Sequence, residues 1–226
     1  MEIEQAEVIL NTITVGAGAL WLAGTWFVVR SGQIGKVRVP PEPQPLRVHD
    51  ATVPRAVFGT DDIEGIPAEN QSKALSALAT GVGHDLGTLR IVEQTPGYLC
   101  FESAGSGSLR TGGLPRFGKG EIWFSMQTGG NTHVDYAVEL KTGGGLLGWA
   151  RVMNVVGLAA IVTGYLAVSK WIIPDHALRP QVFQMAQTVH LLWPPFLLGA
   201  LYRHQYTQIA GRIATFVHNL PYLSGT

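Results

Sequence analysis

From Val8 to Val29 the chain carries no Asp, Glu, Lys or Arg. As a helix that stretch reaches roughly 33 Å at 1.5 Å per residue, enough to cross a hydrocarbon core of about 30 Å. In lipid every backbone N–H and C=O must find its partner inside the segment, so such a run is either a membrane helix or a removable signal. The flanks decide between them. Met1 to Glu7 holds Glu2, Glu4 and Glu7 and no basic residue, whereas a signal peptide opens with positive charge. The expectation is a retained transmembrane helix ending at Arg30.

Two more runs repeat the pattern. One extends from about Gly148 to Ile173, uncharged from Val152 to Ser169 and stopped by Pro174; the other extends from about Val182 to Tyr202. Trp26, Trp149, Trp171 and Tyr202 fall near the ends of the runs, where an amphipathic ring keeps its polar edge among the headgroups. Charged residues make up only 14% of the chain, against about 25% in ordinary soluble proteins. The predicted fold class is therefore a membrane α-helical protein with three transmembrane helices and a small α+β extramembrane domain. Its divisions are an N-terminal transmembrane helix over 1–30, a Pro-rich linker over 31–50, a cytoplasmic domain over 51–142, a transmembrane hairpin over 143–203 and an amphipathic tail over 204–226.

Orientation follows from Lys and Arg close to the span ends. Arg30, Lys36, Arg38, Arg47, Lys141, Arg151, Arg203 and Arg212 lie on one side, and only Lys170 and Arg179 on the other. The N-terminus is expected outside, and residues 31–147 and the C-terminus in the cytoplasm, of a bacterial inner membrane. With a formal net charge of zero, no overall field draws in nucleic acid, which is excluded as a partner.

The linker Val39-Pro-Pro-Glu-Pro-Gln-Pro45 favours an extended, semi-rigid backbone. Beyond it, strand patterns near Val53 to Phe58, Thr88 to Gln94, Tyr98 to Ser103, Glu121 to Thr128 and Thr132 to Leu140 surround a helical pattern over Pro67 to Val82. Thr95-Pro-Gly97 and Gly129-Gly-Asn131 have the chemistry of hairpin turns. An antiparallel sheet packed by one helix is the economical assembly. A helix followed by curved strands resembles half of a helix-grip lipid-binding domain, with the long closing helix replaced by a membrane span. The tail sets Ile209, Ile213, Phe216, Val217 and Leu220 at helical spacing, which predicts an amphipathic helix on the membrane interface or against a partner.

Chemistry-bearing residues are few. His190, near the middle of the third run, is a candidate ligand for haem or a chlorophyll-type pigment, with a structural histidine as the alternative. A haem held by this chain alone would need a second ligand, and the first two runs contain no His. Trp193-Pro-Pro-Phe196 predicts a break in the same run. Gly16, Ala19 and Ala23, and then Gly157, Ala160 and Gly164, form small faces suited to close helix packing. Asp61, Asp62 and Glu64 read as a solvated loop, and His84-Asp85 lacks a convergent nucleophile. The glycines between Ala104 and Gly118 lack the Gly-Lys-Ser/Thr ending of a phosphate loop. Cys100, the single cysteine, reads as a buried small residue.

These patterns lead to an accessory, noncatalytic subunit of a larger integral membrane complex, such as an electron-transfer or photosynthetic assembly. Membrane lipids and other integral membrane subunits would be its partners. Two alternatives remain open: a membrane-tethered binder of lipid or another apolar ligand, and a cofactor-ligating or channel component using His190.

Overall fold

The computed structural model describes residues 1–34, 56–64, 73–74, 76–77, 80, 89–95, 97–103, 118–126, 131–140 and 143–223. It divides into two units, one of Met1–Gln33 with Gly145–Tyr202 and one of Ile34–Gly144 with Arg203–Thr226. The linker from 39 to 45, His84-Asp85, the glycine-rich 104–117 segment and most of the 67–82 helical pattern lie outside the described residues. Within that last pattern Lys73, Ala74, Ser76, Ala77 and Thr80 are helical.

The first unit opens with α1, Ile3–Gly32. Its inward stripe is Ala6, Leu10, Ala17, Gly24, Val28 and Ser31, at intervals of three, four and seven that keep one helical face toward neighbours. Helix α2, Gly143–Ala167, runs into a π-helical turn, Val168–Ile172, before Pro174 ends it. The helices Ile3–Gly32 and Gly145–Ile172 are each long and apolar enough to cross a membrane.

The third apolar run is not one continuous helix. It begins as a 3-10 helix, Arg179–Thr188, continues as α3, Val189–Leu192, breaks at Trp193 and resumes as α4, Pro194–His218. The break falls where Pro194 and Pro195 withdraw two backbone donors. The 3-10 helix and α3 pack with α1 and α2, Val182, Met185 and Leu192 sharing one apolar cluster with Ala6, Leu10, Ala17 and Ile161. The third segment runs alongside α1 in the same direction. Arg179 donates to the carbonyl of Met1 at 3.3 Å, while Phe196 stacks on Phe27 with centroids 5.8 Å apart. Arg179 also donates to the Ile173 carbonyl at 2.9 Å, so the N-terminus and the turn after α2 share one end of this unit.

The second unit holds five antiparallel strands: β1 Ala56–Glu64, β2 Leu89–Thr95, β3 Tyr98–Ser103, β4 Lys119–Met126 and β5 Asn131–Glu139. Their order is β1-β5-β4-β3-β2, a meander whose last strand pairs with its first. Gly97 takes φ 85°, the left-handed conformation that the β2–β3 turn requires of it. One face of the sheet is apolar, with Val57, Leu99, Phe101, Ile122, Val134 and Val138 fully buried. Two glycines in this sheet are occupied from across the strand. Phe101 covers Gly120 and Tyr136 covers Gly59, where any Cβ would collide with the ring.

The tail belongs to this unit. Ile209, Ile213, Val217 and Leu220 are all but completely buried, and α5, Leu220–Leu223, packs on β1. Ile209 and Ile213 are thus covered by protein, not lipid, and Phe216 is half-buried. This differs from the expected interfacial placement, because side chains already covered by protein are unavailable to a bilayer. Asp61, Asp62 and Glu64 lie on β1 and not in a loop.

Candidate functional site

Two groups of polar side chains stand out, one in each unit. The first lies on the 3-10 helix. With three residues per turn, side chains at i and i+3 eclipse, so this helix is a prism with three straight edges. One edge, Val182, Met185 and Thr188, faces inward: Val182 and Met185 are buried and Thr188 is half-buried. The second, Phe183, Ala186 and Val189, is exposed and apolar. The third, Gln181, Gln184, Gln187 and, one step beyond in α3, His190, is exposed and wholly polar. None of these four side chains has a hydrogen-bond partner among the described residues. The row extends about 17 Å, from the rises of the two helix types.

The depth of the row follows from its neighbours. Gly164 of α2 faces Met185 and Thr188, and Gly157 faces Leu191 and Leu192. His190 therefore lies at the level of α2 between Gly157 and Gly164. It points away from the cluster, so the chain alone offers one imidazole and no enclosing wall among the described residues for a haem or chlorophyll-type group.

A closed polar latch sits nearby. The Trp21 indole donates to the Asn154 carbonyl at 2.8 Å, the Asn154 amide donates to Thr25 Oγ1 at 2.6 Å, and the Thr25 hydroxyl donates to the Trp21 carbonyl at 2.9 Å. Asn154 thereby joins α2 to α1. Asn11 is exposed and forms no bond with His190 among the described residues.

The small residues divide in two. Gly157 is buried, and Ala160 and Gly164 are half-buried, Gly157 and Gly164 facing the third segment. Gly16, Ala19 and Ala23 are exposed, with no heavy atom within 4 Å of a Cβ built on Gly16. The α1 packing face is instead the Ala6–Ala17–Gly24 stripe. Trp26, Trp149 and Trp171 are exposed, and Tyr202 is fully buried. Its spacing after Leu192 and Gly199 puts it on the inward side of the segment.

The second group lies on the other face of the sheet. Cross-strand pairing sets Asp62 opposite His133 and Thr60 opposite Asp135. His133 donates through Nδ1 to Asp62 at 2.5 Å; its Nε2 is 3.1 Å from Thr60 Oγ1 and 3.4 Å from Asp135 Oδ1. Hydroxyl, imidazole and carboxylate follow one another as in a hydrolase triad. The electrostatics oppose that use. The hydrogen bond to Asp62, reinforced by Asp135, raises the His133 pKa despite some burial. An imidazolium held between two carboxylates is a poor base, so the group is best described as a clamp tying edge strand β1 to β5.

On the same face Cys100 and Glu121 are buried, with the Tyr98 hydroxyl bonded to the thiol. Burial pushes the Cys100 thiol up and drives the Tyr98 phenol up further, with Glu121 adding to both. A thiol kept protonated is an unreactive one. On the apolar face Ile122 and Val138 are fully buried. Leu75, Leu78 and the Leu89 side chain lie outside the described residues, and Ile91 is exposed. No family model, curated protein or solved structure matches the chain.

In the sequence His190 stands out alone, and Gln181, Gln184 and Gln187 align with it only through the 3-10 winding. The signal was a period of three in place of 3.6. The Asp62–His133 pair was not readable, because 71 residues separate partners that only strand register brings together.

Proposed function

We propose that the chain is an accessory, noncatalytic subunit of a larger integral membrane complex, crossing the bilayer three times and carrying its sheet domain on the cytoplasmic side. The observation that carries this reading is the row of Gln181, Gln184, Gln187 and His190 facing away from the chain's own core. Polar side chains at membrane depth are costly against hydrocarbon and are found facing protein or water. A neighbour supplies what the chain itself does not.

The third crossing is supported by connectivity. If α1 and α2 both cross, residues 34–144 lie on one side and the turn before Arg179 on the other. Residues 203–226 fall in the same compact unit as residues 34–144, which supports a return across the bilayer between them. The arrangement of Lys and Arg favours the cytoplasm of a bacterial inner membrane for that shared side. In an electron-transfer or photosynthetic assembly His190 would ligate a haem or pigment only with a neighbour completing the site. The apolar-ligand alternative draws less support, since Ile122 and Val138 on the apolar face are fully buried.

The test is gentle-detergent extraction of the tagged protein from its native membrane, followed by native gel separation, mass spectrometry and an absorption spectrum. Co-migration with a stable assembly is the expected result, and a single-chain species would reject the subunit reading. Loss of a pigment band on His190→Leu would assign the ligand role, and an unchanged spectrum would remove it.

A further inference from the structure

We infer that the polar row on the 3-10 helix is a self-complementary seam, covered in the membrane by a second copy of this chain. The inference rests on the subunit reading above and names the partner. It starts from the chemistry of the row. Gln181, Gln184 and Gln187 each carry a donor amide and an acceptor carbonyl, and a neutral His190 carries one of each. The row has no formal charge, so a helix bearing carboxylates or ammonium groups would bury an unpaired charge against it. An apolar helix would leave four polar groups unsatisfied. The mate must be neutral and must offer donors and acceptors at about 5–6 Å intervals, which is one turn of this kind of helix.

A second copy supplies that set in register. Copies in one membrane share an orientation, so a twofold axis relating them runs along the bilayer normal and brings each residue opposite itself at the same depth. The 3-10 winding matters here. Its rows run almost parallel to the helix axis, so Gln181, Gln184 and Gln187 meet their counterparts together, whereas an α-helical i, i+3 row would turn away. The neighbouring Phe183, Ala186 and Val189 edge remains for lipid.

The test is cysteine cross-linking of the full chain in its native membrane. Gln184→Cys and Gln187→Cys lie on the seam, Ala186→Cys on the apolar edge, and Ala19→Cys on the outward face of α1; wild type, with only the buried Cys100, is the background. Oxidation is expected to convert the two seam variants to self-linked dimers, with at least a tenfold smaller yield from Ala186→Cys, Ala19→Cys and wild type. Seam cysteines that link to a different protein would overturn the second-copy inference while leaving the subunit reading standing. Seam cysteines that link to nothing would overturn the second-copy inference, while the subunit reading stands or falls on the detergent extraction above. Equal linking from Ala19→Cys would mark the contact as unspecific and overturn the inference. As a second measurement, Gln184→Leu combined with Gln187→Leu should weaken self-association in vesicles roughly tenfold, taking about threefold for each interhelical hydrogen-bond pair. An unchanged association constant would also overturn it.

Discussion

Replacing Gly157 with alanine adds one methyl group where the third segment approaches α2. That methyl would sit 2.7 Å from Leu192 Cδ2, 3.4 Å from the Leu191 carbonyl oxygen and 3.9 Å from Trp21 Cδ1. Carbon atoms rest at about 3.5–4.0 Å, so the first contact is short by roughly 1 Å. Leu192 is 2% exposed, so its branch has to repack among buried neighbours to make room. Overpacking of this kind costs about 1–3 kcal/mol, and the gain in helix propensity on losing a glycine returns at most about 1 kcal/mol. The net expectation is a loss of about 1–2 kcal/mol. Gly16→Ala is the control, since nothing lies within 4 Å of its Cβ. Only the propensity gain acts there, giving no change or a stabilisation of up to about 1 kcal/mol. Unfolding both variants by SDS in mixed micelles, followed by tryptophan fluorescence and circular dichroism, measures the difference. Gly157→Ala matching or exceeding the stability of Gly16→Ala would refute the packing reasoning.

A double-mutant cycle between Thr25→Val and Asn154→Leu in the same assay should give a coupling of about 0.6 kcal/mol, with an upper bound near 1.7 kcal/mol; additive losses would remove the latch. Gly120→Ala should cost about 1–3 kcal/mol because the Phe101 ring fills that space, and thermal unfolding of the full chain reports it. Asp62→Asn should lower the His133 pKa toward its ordinary value, read from the imidazole shifts by NMR as pH is varied. The sign for stability follows from a pKa raised in the folded state. The clamp contributes fully below about pH 6.5, the ordinary histidine value, and fades as pH rises through the raised folded value. Asp62→Asn should reduce that dependence, and a β1 edge equally stable across this range in both proteins would contradict the clamp.

What the sequence made legible was whatever local chemistry decides. The uncharged runs fixed α1 and α2 because lipid admits few alternatives for a long apolar backbone. Strand alternation located four of the five strands within about two residues at each end. Val53 to Phe58 was displaced, because Asp61, Asp62 and Glu64 suggested solvent where one face of an edge strand tolerates charge. The Trp193-Pro-Pro break was readable since proline acts where it stands. The rest depends on distance along the chain. Which face of α1 packs inward is set by α2 and the third segment, so Gly16 and Ala19 looked as good as Ala17 and Gly24. The tail looked membrane-bound because an apolar stripe such as Ile209 and Ile213 suits a protein neighbour as well as a lipid surface. The polar row was hidden by the assumption of α-helical winding, under which Gln181, Gln184, Gln187 and His190 scatter around the helix.

The most direct test of the proposed architecture is the side of the membrane reached by single cysteines in sealed vesicles. His176→Cys lies in the turn between α2 and the 3-10 helix, Lys119→Cys at the start of β4 and Tyr222→Cys in α5. With a membrane-impermeant maleimide, three crossings expect His176→Cys to be labelled from one side only, and Lys119→Cys and Tyr222→Cys together from the other. Labelling of His176→Cys and Tyr222→Cys from the same side would mean the third segment does not cross, and would contradict the architecture on which the proposed function stands.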